Sequence, residues 1–227
     1  MPVWLGEAGG VEQLPPENLA IAGRIGLWFA EEEKTARRML RRMLPTIDLA
    51  AQEIHRFDKD SDDHDAQRLI ALLRDGRDAA ILSEAGMPGI ADPGAKLVRA
   101  AHAQGITVVP LTGPSSLLLA LAASGLNGQA FTFHGYLPRD ARERRQAIQR
   151  LEREAQRTGA AQLFIETPYR NDAMMEDLLR SCVPGTLLAV AVDLTQPSGS
   201  VVTHDIATWR KVYRPIGKRP AVFILGV

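Results

Sequence analysis

The segment Ser83-Glu84-Ala85-Gly86-Met87-Pro88-Gly89-Ile90-Ala91-Asp92-Pro93-Gly94 has the residue types of a ligand-binding loop. Its glycines and prolines make a stiff connection whose amides and carbonyls have little side-chain cover. A nucleoside or amino-acid moiety can lie against such a main chain. A plain structural connection is the alternative, but those usually take about 2–6 residues, and this one is longer. Carboxylates recur at the ends of apolar runs. Glu166 closes one, where it can take a proton from an oxygen nucleophile or pair with Arg170 four residues on. Glu31, Glu32 and Glu84 stand at comparable positions. His134 follows another apolar run, although a lone histidine is more often structural. His55, His64, His102 and His204 show no ligand spacing, so no metal site is expected. Cys182 is the only cysteine, which excludes an internal disulfide and a cysteine-based zinc cluster and predicts a buried thiol on a helix.

These groups need a scaffold, and the chain alternates short apolar runs with amphipathic stretches. Strands are predicted at Val3–Leu5, Gly26–Ala30, Ala79–Ser83, Thr107–Leu111, Ala130–Phe133, Gln162–Glu166, Leu187–Val192 and Ala221–Leu225. Helices are predicted at Pro15–Arg24, Lys34–Met43, Asp62–Arg74, Gly94–Gln104, Ser115–Ser124, Arg142–Arg157 and Tyr169–Cys182. Gly76, Gly105, Gly125 and Gly159 fall where helices should stop, and Asp62 and Ser115 where they should start. The near-continuous apolar strands between helices predict βαβ units and a largely parallel sheet. The glycine loop then lies at the carboxyl end of that sheet, where open α/β sheets bind ligands. A break near residues 112–130 divides the chain into an N-terminal α/β domain, 1–114, and a C-terminal one, 115–227.

Composition narrows the class. Of the 227 residues, 45% are hydrophobic and 24% charged, and 27 basic side chains balance 27 acidic ones. That is an ordinary soluble composition, with no global field to attract nucleic acid. No basic-then-apolar leader begins the chain, and no apolar run reaches the ~20 residues needed to span a bilayer, so a cytoplasmic protein without membrane partners is expected. Charge is nonetheless unevenly spread. Arg139, Arg142, Arg144, Arg145, Arg150, Arg153 and Arg157 crowd one helical stretch, and Lys34, Arg37, Arg38, Arg41 and Arg42 another. Such runs are usually solvated faces, but they can also form an RNA-facing rim. No Gly-x-Gly-x-x-Gly follows the first strand, so a nicotinamide-binding fold is not expected.

The glycine loop resembles the Asp-Ala-Gly-x-Pro-x-Ile-Ser-Asp-Pro-Gly signature of the ribosomal RNA ribose 2′-O-methyltransferase branch of the tetrapyrrole methylase superfamily. Four further segments resemble that branch in order. Ala30-Glu31-Glu32-Glu33-Lys34 is similar to Ala-Glu-Asp-Thr-Arg, and Thr112-Gly113-Pro114-Ser115-Ser116 to Pro-Gly-Pro-Ser-Ala. Phe133-His134-Gly135-Tyr136-Leu137-Pro138-Arg139 is similar to Phe-x-Gly-Phe-Leu-Pro-Arg. Phe164-Ile165-Glu166-Thr167-Pro168-Tyr169-Arg170 is similar to Phe-Tyr-Glu-Ser-Pro-His-Arg. The first loop, Leu5-Gly6-Glu7-Ala8-Gly9-Gly10, matches neither the RNA enzymes nor the porphyrin enzymes. Glu84, Lys34 and Tyr169 replace the usual Asp, Arg and His, and the chain stops soon after its last strand, which suggests a divergent, shortened subgroup.

The resemblance implies two α/β domains with largely parallel or mixed sheets and S-adenosylmethionine folded in the cleft between them, held mainly by backbone. Residue by residue it implicates Leu5, Gly6, Glu84, Ala85, Gly86, Met87, Gly89, Ile90, Ser115, Ser116, Ile165, Pro220 and Ala221 as cofactor contacts. It implies a homodimer and a methyltransferase acting on an oxygen of ribosomal RNA or the 30S subunit, and Glu166, which ends a strand at the predicted cleft, is the candidate general base. A small-molecule acceptor such as a tetrapyrrole, and a non-catalytic cofactor-binding module, are the alternatives. Gly86→Val is expected to block the cofactor and leave the fold intact.

Overall fold

The computed structural model describes all residues from Met1 to Val227. The chain forms two compact units, Met1–Ser115 and Ser116–Val227. The first holds a parallel three-stranded sheet of β1 (Leu27–Ala30), β2 (Glu53–Arg56) and β3 (Ala79–Leu82), in the order β2-β1-β3. Its helices are α1 (Pro16–Ala22), α2 (Glu33–Met43), α3 (Asp63–Ile70) and α4 (Ala95–Ala103). All four residues of β1 are buried, and the period of two divides them. Trp28 and Ala30 pack with Ala36, Leu40 and Met43 of α2, whereas Leu27 and Phe29 pack with Leu69, Ile70, Leu97 and Ala101 of α3 and α4. A strand covered on both faces must be apolar throughout, which is why Leu-Trp-Phe-Ala shows no alternation.

The second unit places α5 (Ser116–Ser124) on one face of a five-stranded sheet and α6 (Ala141–Thr158), α7 (Asn171–Ser181) and α8 (Ile206–Val212) on the other. The strands β4 (Phe131–Tyr136), β5 (Ala161–Glu166), β6 (Leu187–Val192), β7 (Ser200–Asp205) and β8 (Ala221–Gly226) run in the order β4-β5-β8-β6-β7. Only β4 and β5 are parallel; the other three pairings are antiparallel. The largely parallel arrangement holds for the first unit and becomes mixed in the second. Phe164, Val190, Phe223 and Leu225 meet Ile148, Met174, Met175 and Leu178. Leu163, Ala189, Val222 and Ile224 meet Leu117, Ala120 and Leu121 of α5.

The helix punctuation follows the sequence. Asp62 closes a capping box with Asp65 at the start of α3, and Gly76, Gly105, Gly125 and Gly159 all have φ between 69 and 77°, the left-handed turn that glycine adopts without strain. Two predicted strands are absent. Val3–Leu5 is reduced to a single bridge between Val3 and Gly86. Thr107–Leu111 is unpaired, with Val109 68% exposed; Pro110 within it lacks the N–H that a ladder needs. Two strands and a helix are additional. β2 and β7 are sheet edges and need no continuous apolar run, and α8 is short, capped by Asp205 accepting from the Thr208 amide at 2.6 Å.

Candidate active site

The carboxyl ends of the three parallel strands each lead to an acid. Glu31 follows β1, Asp58 follows Phe57 beyond β2, and Glu84 follows Ser83 beyond β3. Asp92 of the glycine loop joins them. Partial burial, a hydrogen bond to Asp92 and the negative charges of Asp92, Glu84 and Asp58 push Glu31 up to about 7. A carboxyl with that affinity exchanges its proton near neutrality. Of these residues Glu31 and Glu84 were legible as candidates; Asp58 and Asp92 were not singled out, because only folding brings three strand ends together.

The glycine loop joins β3 to α4, where the sequence placed it. Ser83 Oγ donates to the Ala85 carbonyl at 2.9 Å and accepts from the Ala85 amide at 3.1 Å. The Gly86 amide donates to the Val3 carbonyl, and the Val3 amide to the Gly86 carbonyl, so the first loop and the glycine loop are tied together. Left-handed turns at Gly86 (φ 73°), Gly89 (φ 78°) and Ala91 (φ 58°) fold the segment back on itself. Nothing lies within 4 Å of the place a Cβ would take at Gly89, and Ile90 is 52% exposed. The main chain is therefore open to a ligand there. Gly86 differs. A Cβ at that position would stand 3.2 Å from the Pro114 carbonyl oxygen and 3.3 Å from Leu5 Cδ2, in a conformation that branched side chains avoid. Gly86→Val therefore strains the fold as well as crowding the loop.

Within the first unit, Leu5 meets Gly86, and Gly6, Glu84 and Ala85 line an open cavity of about 380 Å³ with Trp4, Glu7, Arg38, Met39 and Arg42. Ser115 is buried at the end of this unit, and Ser116 opens α5 in the other. Ile165, Glu166 and Ala221 lie together in the second unit, since Ile165 pairs with Val222 and Glu166 with Ala221 across β5 and β8. Pro220 precedes them, its carbonyl accepting from the Asp193 amide at 3.0 Å.

Glu166 is buried, and both its oxygens are engaged. One accepts from the Thr167 amide at 2.6 Å and the other pairs with Arg170. The next two residues fix the segment leading into β8. The Asn171 amide group donates to the carbonyls of Gly217 and Arg219, and Asp172 accepts from the Tyr213 hydroxyl and the Ile216 amide. The hydrogen bond from Tyr213 is the main reason Asp172 lies below the usual carboxylate range. His134 is bound to Gln162 at 2.8 Å. Cys182 is buried and burial pushes its thiol upward, so it is not a nucleophile. His64 does have acidic neighbours: its ring stands with Asp62 and Asp65 within metal-ligand spacing, although both carboxylates already serve the α3 cap.

The arginine-rich helix α6 is sorted by its neighbours. Arg144 is buried against Asp177, Arg145 also reaches Asp177, and Arg157 pairs with Glu154. Arg150 and Arg153 line a surface hollow of about 470 Å³ with Pro138, Glu143, Gln146 and Gln149.

The family model described as Tetrapyrrole (Corrin/Porphyrin) Methylases matches residues 9–208. The chain belongs to the tetrapyrrole methylase family. Methyl transfer is the chemistry that family is named for. The chain is 34% identical over 220 residues to a ribosomal RNA small subunit methyltransferase I of Xylella fastidiosa, covering 96% of this chain and 77% of that one. It is 38% identical over 144 residues to the protein of the same name from Halalkalibacterium halodurans, covering 63% of this chain and only 47% of that relative. The chain thus spans about half the length of this second relative. The methyltransferase CobJ shares the fold, with TM-score 0.62 at 20% identity over 96% of this chain and 90% of that one. So does the uroporphyrin-III-C-methyltransferase of Thermus thermophilus, with TM-score 0.53 at 22% identity over 96% and 87%. No helix of this tetrapyrrole methylase is long and apolar enough to cross a membrane.

Proposed function

We propose that this tetrapyrrole methylase transfers the methyl group of S-adenosylmethionine to a ribose hydroxyl of ribosomal RNA, as a cytoplasmic homodimer. The observation that carries the reading is the open glycine loop beside a carboxyl held near neutral pKa at the ends of the parallel strands. The printed name shared by the Xylella and Halalkalibacterium relatives supports RNA as the acceptor. Bound S-adenosylmethionine would supply an electrophilic methyl carbon and a thioether leaving group. The main chain at Gly89 and Ile90 is open to hold it, with Leu5, Gly86 and Ser115 of the same unit as further contacts. As the acceptor hydroxyl took up that methyl group, its proton would have to go to a base of this chain. Glu31 is the better placed acceptor. Glu166, the candidate from sequence, has both oxygens committed within its own unit. Orientation supplies the larger part of the acceleration, about 7–11 kcal/mol in well-aligned cases, and a positioned base about 10²–10⁴-fold.

Titration calorimetry with S-adenosylmethionine, followed by tritiated methyl transfer into unmodified small ribosomal subunits, tests the reading. Binding with transfer into ribose supports it. Binding with transfer only into a tetrapyrrole moves the acceptor to a small molecule, and binding with no transfer to either leaves a cofactor-binding module.

A further inference from the structure

Among the basic side chains of α2, two have environments unlike the rest. Arg37 is neutralised by Glu33 at 2.8 Å, and Arg41 donates to the Pro45 carbonyl at 3.1 Å. Arg38 makes no hydrogen bond or ion pair. Arg42 lies one turn further on, its guanidinium 4.4 Å from the Trp4 ring centre and donating to the Gly9 carbonyl at 2.7 Å. Both line the cavity of about 380 Å³ that also takes in Gly6, Glu84 and Ala85. Like charges four residues apart on a helix repel, and no carboxylate pairs with either of them, although Glu7 and Glu84 line the same cavity. Arg42 is held by its stacking on a buried ring, so its remaining donors are pre-aimed, which a free lysine would not offer.

We propose that this cavity is a phosphodiester subsite of the acceptor strand, with Arg38 and Arg42 as the phosphate ligands. This rests on the RNA reading above. Two guanidinium groups with unused donors suit an anionic oxygen pair, while Glu7 and Glu84 offset part of their charge and disfavour a dianion such as free phosphate. A singly charged phosphodiester is the class that fits. A phosphate held there would lie beside Gly6, Ala85 and Glu84, the last of which follows the carboxyl end of β3.

The test is fluorescence anisotropy of the full chain with a labelled single-stranded ribosomal RNA oligonucleotide, read across a salt series with S-adenosylhomocysteine present. Arg38→Ala touches no packed group and should fold normally. It should weaken binding about tenfold at moderate salt and reduce the log–log salt slope by about 0.7, the value for one phosphate of a single strand. Arg42→Gln should act in the same direction. Arg24→Ala, an exposed and unpaired arginine elsewhere in the unit, should change neither quantity. Salt-sensitive binding by the parent chain with Arg38→Ala indistinguishable from Arg24→Ala overturns the subsite and leaves the RNA reading standing. Equal losses in Arg38→Ala and Arg24→Ala also overturn it, since the effect would then be one of diffuse charge. No salt-sensitive RNA binding by a parent chain that binds cofactor overturns the RNA reading and the subsite with it.

Discussion

Replacing Glu31 by Gln removes a charge that the folded chain holds at a cost, and the pH dependence gives the size of that cost. Glu31 is raised from 4.5 to about 7 by partial burial, Asp92, Glu84 and Asp58. Between those values the folded state binds a proton that the unfolded state has released, so stability falls as pH rises through this window. At about 1.4 kcal/mol per pKa unit the full shift corresponds to ~3 kcal/mol. The carboxyl is only partly buried, and solvent screening reduces this to about 1–2 kcal/mol. Glu31→Gln should therefore equal the parent chain in stability near pH 4.5 and exceed it by about 1–2 kcal/mol at pH 8. Urea unfolding at the two pH values, with unchanged m, measures the difference. The same variant should lose about 10²-fold or more in methyl transfer if the carboxylate accepts the proton. Parallel pH–stability curves would refute the electrostatic reasoning, and full transfer activity would refute the role as base.

Ile90→Ala removes an exposed side chain from the open part of the glycine loop and should weaken S-adenosylmethionine binding several-fold by calorimetry with no change in melting temperature. Arg144→Met leaves Asp177 with only the longer contact to Arg145, and should cost about 3–5 kcal/mol in chemical unfolding, as breaking one side of a buried pair does. Asp172→Asn removes the carboxylate that gathers Tyr213 and Ile216. It should lower stability above pH 4 and leave it unchanged under strongly acidic conditions, where the depressed carboxyl is protonated in either state. Sedimentation at micromolar concentration should show a species of twice the 24.8 kDa chain mass; only the single mass would exclude the dimer.

Local chemistry was enough to reveal much of this chain. The apolar strand β1, the capping box at Asp62, the left-handed glycines and the Ser83–Gly94 connection all depend on neighbours close in sequence, where side-chain type limits the backbone to few conformations. The edge strands β2 and β7 escaped because a strand with one paired side needs little hydrophobicity of its own. Thr107–Leu111 misled for the converse reason: it has the residues of a strand, yet pairing is a property of a neighbour and of an available N–H.

The site divides along the same line. Gly86 and Glu84 could be placed from order and spacing, because a glycine loop after a parallel strand has one place to go, whereas Leu5 came only from the family resemblance. Residue type could not reveal which carboxylate would be neutral near pH 7. Glu31 and Glu166 look alike in sequence, each closing an apolar run. Folding surrounds Glu31 with Asp92, Glu84 and Asp58, and gives Glu166 the guanidinium of Arg170 and the Thr167 amide. A pKa is set by the charges and solvent within a few ångströms of the group, and those come from segments far apart in the chain, so only the tertiary structure decides it.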